Sequence, residues 1–517
     1  MTFEPSRRSF VAGGAGVLGG VVGAITLAPA AHAAIDYTPG HWPATQVLPS
    51  DQRHLVSRFS YGLTPELATQ VRAKGGARKW FGHQLSLDDK AYGLADWWPH
   101  LHLGPNNIWQ LQVSGTRGGY RVMYDVGRRL LARRIISPNP VLEVMTEFWE
   151  NLLNVPTNGD SHFTWRAPYG ELIRKHALGR FDELLPAAIT HPAMQIYLDG
   201  ANSHKDQPNE NLARELLELH TVGVGGFGEK DVKHAARLLT GFHIDNRTTW
   251  RAKYDRTAHA TGKVRVLGFT HDNDKPDGRE ATVKMLRYLA HHPRTARRIA
   301  RRLVCVFVSD APNEALVKRL SKVYLKSNTR IKPVLEALVD SAEFKAAADR
   351  KVRDPSQDVV ATFRVLGTKF SRLPGQDDTS AASLMVHMAD KVGLAPMAWP
   401  LPDGSPQVNE PWSWPARVMA SFDMHFKMAE RSFPTDGITY RAPADWLPAP
   451  SITLRDLVDH LARVIHHRPS TAALLQGCCE AVEFPPGEVI TSSHPLVEFR
   501  MSRLLVVLLD HPTHFSR

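Results

Sequence analysis

The chain has 517 residues, a formal net charge of +11 at pH 7 and three cysteines. Three cysteines exclude a disulfide framework, and the length is enough for one large or two smaller hydrophobic cores. No apolar run after the N-terminal segment reaches the roughly 18 residues of a membrane span. No recognised nucleic-acid motif accompanies the positive charge, so an anionic wall polymer or lipid headgroups are the expected partners and nucleic acid is not.

In chain order, residues 1–33 read as a twin-arginine signal peptide. Ser6-Arg7-Arg8-Ser9-Phe10-Val11 is the arginine box, a glycine- and alanine-rich apolar stretch comes next, and Ala31-His32-Ala33 is a small-x-small cleavage site. The expected address is outside the cytoplasm, extracellular or on the cell envelope. That route exports folded proteins and suits a cofactor inserted before export, which makes a divalent metal an expectation.

The rest of the chain is expected to be mainly α, a large multi-helix fold with one small β-hairpin and long Pro/Trp-rich loops. A helical region over 34–350 carries the central motif, and a second over 351–517 packs with it. Residues 51–74 predict two helices around the turn Gly62-Leu63-Thr64-Pro65, and 108–136 a long helix interrupted near 115–119. Asn139-Pro140 opens a helix to 153, and 171–190 is helical with a break at Gly179. Period-2 character in 248–254 and 263–269, with Gly262 between them, predicts the hairpin. Further helices are expected over 278–289, 293–308, 312–326, 331–341, 355–366 and 379–392, with Pro293 and Pro312 in first turns and a polar linker at 374–378. Residues 394–414 and 433–450 are too rich in proline for regular structure. Helices over 454–467 and 494–510 close the chain.

The most informative stretch is 209–223. Leu212, Leu216 and Leu219 form an apolar stripe, with Glu210, Arg214, Glu218 and Thr221 opposite and Glu215 beside them. Glu210, Arg214 and Glu218 alternate in sign at i,i+4. Two readings are open: a solvated helix face, or a carboxylate cluster on a cleft with Arg214 holding the acids. Glu210, Arg214, Glu215 and Glu218 are the catalytic candidates, because paired carboxylates can serve as acid and base. His220, His243, His259 and His271 are the metal-ligand candidates by residue type, although no HExxH or comparable spacing supports them. The loop Gly223-Val224-Gly225-Gly226-Phe227-Gly228 reads as a tight connection, since Glu229 and Asp231 in the next first turn repel an anion.

Two further groups are candidate binding residues. Trp399, Trp412 and Trp414 form either a sugar-stacking platform or a pin for their own loop. Arg297, Arg298 and Arg301 lie opposite Ile299, Leu303 and Val306, forming either a solvated arginine face or a dock for an anionic polymer or acidic partner.

Residues 209–241 resemble the central signature of the bacterial family catalogued as domain of unknown function 1800. Met145-Thr146-Glu147-Phe148-Trp149-Glu150-Asn151 is similar to that family's FW-x-N box. His259, Gly262, Lys263 and Leu267-Gly268 resemble a second block, and Trp399 to Gly404 with Trp412 a third. The likeness spans roughly residues 50–515. Two places depart: Leu152 stands where a histidine usually comes after the FW box, and Ala260 stands after His259 where aspartate is frequent. The resemblance implies an exported, largely helical protein. It also implies an exported partner resembling the alkaline phosphatase and sulfatase superfamily, and it supplies no agreed chemistry. Two functions are therefore expected: a metal-assisted hydrolase acting on cell-envelope or extracellular polymers, or a non-catalytic helical protein that binds a partner or the envelope.

Overall fold

Helix starts in this chain are written in side chains. Thr64, Asn139, His292 and Asp354 each precede a proline at the first helical position and accept a hydrogen bond from the backbone N–H of Leu67, Leu142, Arg294 and Gln357. The missing N–H of that proline is one no helix would use, and the cap satisfies another. Pro312 differs from its expected place: Asn313 is the cap of Glu314–Lys326, so the proline lies outside the helix.

The computed structural model describes residues 37–87, 97–114, 118–159, 162–371 and 380–517. The signal peptide at 1–33, the linker at 374–378 and the break at 115–117 fall outside the described residues. From Thr38 to Arg517 the chain is one compact unit, and it is mainly α. Helix Pro293–Phe307 packs on Glu314–Lys326, Arg279–Ala290 on Phe181–Ile189, and Ala381–Val392 on Arg121–Ile136. An aromatic line fixes the centre. Phe59 stacks on Phe307 at 4.5 Å between centroids, Phe148 touches both Phe307 and Trp149, and Trp149 stacks on Phe181 at 5.2 Å. Four helices remote in sequence meet along it, and each buried ring contributes about 1.5–3 kcal/mol of transfer free energy.

The β-structure differs from the single expected hairpin. Ala252–Tyr254 pairs with Phe242–Ile244, and Val264–Val266 turns back on Phe269–His271. Leu267 and Gly268 both have positive φ, the conformation whose twist matches two-residue hairpins, so 263–269 closes on itself. Two more antiparallel pairs are long-range: Lys369–Phe370 with Ile438–Thr439, and Ser451–Thr453 with Val489–Thr491.

Among the helices not expected are Ala77–Ser86, Pro192–Tyr197, Pro415–Ala429 and Ala472–Val482, of which the last two show why. Helix Pro415–Ala429 buries Arg417, Ser421, Met424 and His425 while exposing Met419 and Phe426, so its polar and apolar residues do not sort by face. Helix Ala472–Val482 hides Cys478 and Cys479, both free thiols, in a helix with few polar residues.

Candidate functional site

Asn209 caps the signature helix by accepting from the Asn211 N–H at 2.7 Å. Regular α-helix runs over Glu210–Glu215 and then widens into a π-turn over Leu216–His220. Such turns insert one residue into a helix and frequently mark functional sites. The turn is held from both sides: Thr221 Oγ1 donates to the Leu216 carbonyl, and Arg298 Nε donates to the Leu219 carbonyl at 2.9 Å.

The four catalytic candidates fall into two groups by their partners. Arg214 donates twice to Glu229 at the start of the next helix, at 2.9 and 2.7 Å, with Glu210 at 3.8 Å. That network is exposed and ties two helices together. Glu215 instead lies within electrostatic reach of Glu218 and of Asp403 on the Trp-Pro loop. Partial burial and the charges of Glu218 and Asp403 push the Glu215 carboxyl above its ordinary range, against the pull of Arg214. Tyr197 is pushed up by burial and then by Glu215 and Asp403. Arg298 is lowered by burial, with Glu218 opposing. Arg302 is held down to about 10 by burial and by Arg298.

Asn151 of the FW box and residues from three other segments hold that loop. Asn154 Nδ2 donates to the carbonyls of Trp399 and Leu401, Tyr197 donates to the Pro400 carbonyl, and Arg302 donates to Asn151 Oδ1 and the Asp403 carbonyl. Gly404 has φ +76°, and a Cβ there would lie 2.0 Å from the Asn151 carbonyl oxygen. Gly404→Ala is therefore expected to lift the loop from Asn151 and to lower stability by about 1–3 kcal/mol. An unchanged unfolding temperature by scanning fluorimetry would show that the loop is not anchored there.

The three tryptophans do not share a surface. Trp412 is buried and donates to the Pro406 carbonyl, Trp399 donates to Asp403 Oδ1 at 3.0 Å, and Trp414 is 63 % exposed. Of the arginine face, Arg297 and Arg301 share Glu314, and Arg298 is turned onto Leu219.

The structure does not bring His220, His243, His259 and His271 together. His220 is fully buried, its Nδ1 2.9 Å from the carbonyl of Leu152, the very residue that departs from the expected histidine. That contact requires Nδ1–H, which leaves the Nε2 lone pair buried and without a partner. Burial, then Arg298 and Arg302, hold this ring down to about 4, against the Leu152 bond. His243 faces Asp245 on a strand, His259 bridges Thr240 and Asn273, and His271 accepts from the Asn273 N–H. The last two brace the neighbouring hairpin.

Among the described residues, one group places metal-ligating atoms together: Asp358, His425 and His514, all buried. Sequence reading passes over these three, and over Tyr197 and Arg302. No local signal marks them, because their partners lie far away in the chain; Asp358 and His425, for example, are 67 residues apart.

The family model described as "Protein of unknown function (DUF1800)" matches residues 54–515, and the chain belongs to that family. No curated protein and no solved structure matches the chain.

Proposed function

For this member of the DUF1800 family we propose an exported hydrolase that acts on cell-envelope or extracellular polymers through carboxylate acid–base chemistry. The observation that carries the reading is the half-buried Glu215 carboxyl, raised by burial and by the charges of Glu218 and Asp403, beside a Trp-Pro loop that Asn154 and Arg302 anchor. Glu215, raised by burial and by two like charges, is the proton donor. Glu218, within electrostatic reach of the Arg298 guanidinium, is the base that activates water. Asp403 helps hold the donor protonated, and the half-buried indole of Trp399 beside it offers an apolar face to a sugar ring. Of the four candidates on the signature helix, Glu215 and Glu218 are kept, and the four histidines have no part in the reaction.

The test is release of reducing ends from insoluble cell-wall polysaccharide. Glu215→Gln is expected to lower kcat by about 10²–10⁴-fold, the usual share of a general acid, with an unfolding temperature close to that of the parent protein. Absence of product from the parent protein, or equal product from Glu215→Gln, would overturn the reading. The non-catalytic alternative has less support, because Arg297 and Arg301 are both engaged by Glu314 and Arg298 is turned onto the Leu219 carbonyl, which leaves no open arginine face of three.

A further inference from the structure

We propose that Asp358, His425 and His514 form a binding site for a divalent transition-metal ion of the zinc type, clamping the C-terminal helices together. The site is separate from the carboxylates of the signature surface. Asp358 comes from helix Pro355–Val365, His425 from Pro415–Ala429 and His514 from Pro512–Phe515. Asp358 and His425 are completely buried and His514 is 3 % exposed.

The distances favour a shared ion over a simple ion pair. Both imidazoles aim Nε2 at the same oxygen, Asp358 Oδ1, at 3.4 Å from His425 and 3.8 Å from His514. A charge-assisted N–H···O bond closes to about 2.7–2.9 Å, and the other nitrogen of His425 does so with Asp510 Oδ1 at 2.7 Å. The longer separations instead match the roughly 3.4 Å edge of a tetrahedron whose metal–ligand bonds are about 2.0–2.1 Å. The three ligand atoms all lie within 4.8 Å of one another.

The surrounding bonds orient the donors inward. Ser421 and Arg417 donate to Asp358 Oδ2 at 2.7 and 3.2 Å, which leaves Oδ1 for the two rings. Asp510 accepts from His425 Nδ1–H, the arrangement that fixes the tautomer with its Nε2 lone pair facing Oδ1. Without a cation or a proton between them, two lone-pair atoms would face each other in a dry interior. Thr362 gives its hydroxyl proton to the Asp358 carbonyl at 2.9 Å and accepts from His514 Nε2 at 3.0 Å, a hydrogen bond that a metal ion replaces when it takes that nitrogen, with water completing its shell. Two nitrogens with hard oxygens suit zinc or ferrous iron better than calcium. His514 also lines a cavity of about 30 Å³ shared with Arg353, His466 and His467.

The experiment uses the full chain purified without chelator, with zinc chloride as probe. Elemental analysis is expected to find about one transition-metal ion per chain, lost on dialysis against chelator together with a fall in unfolding temperature that zinc chloride reverses. Asp510→Asn, which leaves the ligands in place, is expected to weaken zinc binding by about 10–100-fold. His514→Gln is expected to lose the ion while its far-ultraviolet circular dichroism stays that of a folded protein; should it fail to fold, the Asp510→Asn titration decides. A folded, metal-free chain whose unfolding temperature zinc leaves unchanged would overturn the proposal, as would undiminished zinc affinity in Asp510→Asn.

Discussion

Glu150→Ala is expected to lower the free energy of unfolding by about 3–5 kcal/mol, the range measured when one partner of a buried ion pair is removed. Glu150 and Arg166 are 2 % and 1 % exposed, and their closest atoms are 3.1 Å apart. Each fixes one of two packed helices, Pro140–Leu152 and Phe163–His176. Without the carboxylate, the Arg166 guanidinium would be left charged in the core, and its Nε already lacks a partner. The loss therefore reflects the stranded charge and not the net worth of the bridge. Glu150→Met with Arg166→Met should recover much of the stability, since well-packed apolar residues often replace such a pair at little loss. Denaturant unfolding of the parent, single and double variants checks this, and a single variant as stable as the parent would sink it.

Mild acid is the second strong lever. His220 is expected to withdraw about 3 kcal/mol of stability between about pH 6.5 and pH 4, at 1.36 kcal/mol per unit of pKa difference. Its folded value is about 4, set by burial first and then by Arg298 and Arg302. The unfolded chain thus binds a proton across this window that the folded chain does not, so stability rises with pH there. It is fully present above the unfolded value and lost as pH falls toward the folded one. His54 and His191 act in the same direction, each held at about 4 by burial and then by Arg58 and Arg166 respectively. Urea unfolding at about pH 7 and about pH 5 should show the fall, with His220→Asn less sensitive to pH than the parent. Equal unfolding free energies at the two values would refute it.

The signature helix shows how far the sequence could be read. Of the leucine stripe, Leu212 and Leu216 are buried at 1 % exposure or less, whereas Leu219 is half-buried and Leu217 fills the core in its place. The opposite ladder was visible as a pattern, but not its division. Arg214 and Glu215 both precede the π-turn and divide because their partners differ: Arg214 crosses to Glu229, and Glu215 comes within reach of the Asp403 charge. A wheel drawn at 100° per residue misplaces what lies beyond, Glu218 and Leu219, because the extra residue in the turn rotates every side chain after it. Helix Pro415–Ala429 shows the opposite failure. It buries Arg417, Ser421 and His425 on carboxylates of two other segments, so polarity along the chain misreports which side is inside.

The family, the helical class and many helix starts were legible in the order of residues alone. These rest on interactions within a few positions: apolar spacing near 3.6, a capping side chain, a proline whose N–H is not needed. Which polar groups are buried, and against what, was settled only by packing: Glu150 on Arg166, Glu215 near Asp403, Asp358 between His425 and His514. Desolvation, charge pairing and ligand geometry depend on distance in space, and those partners are brought together only when remote helices pack.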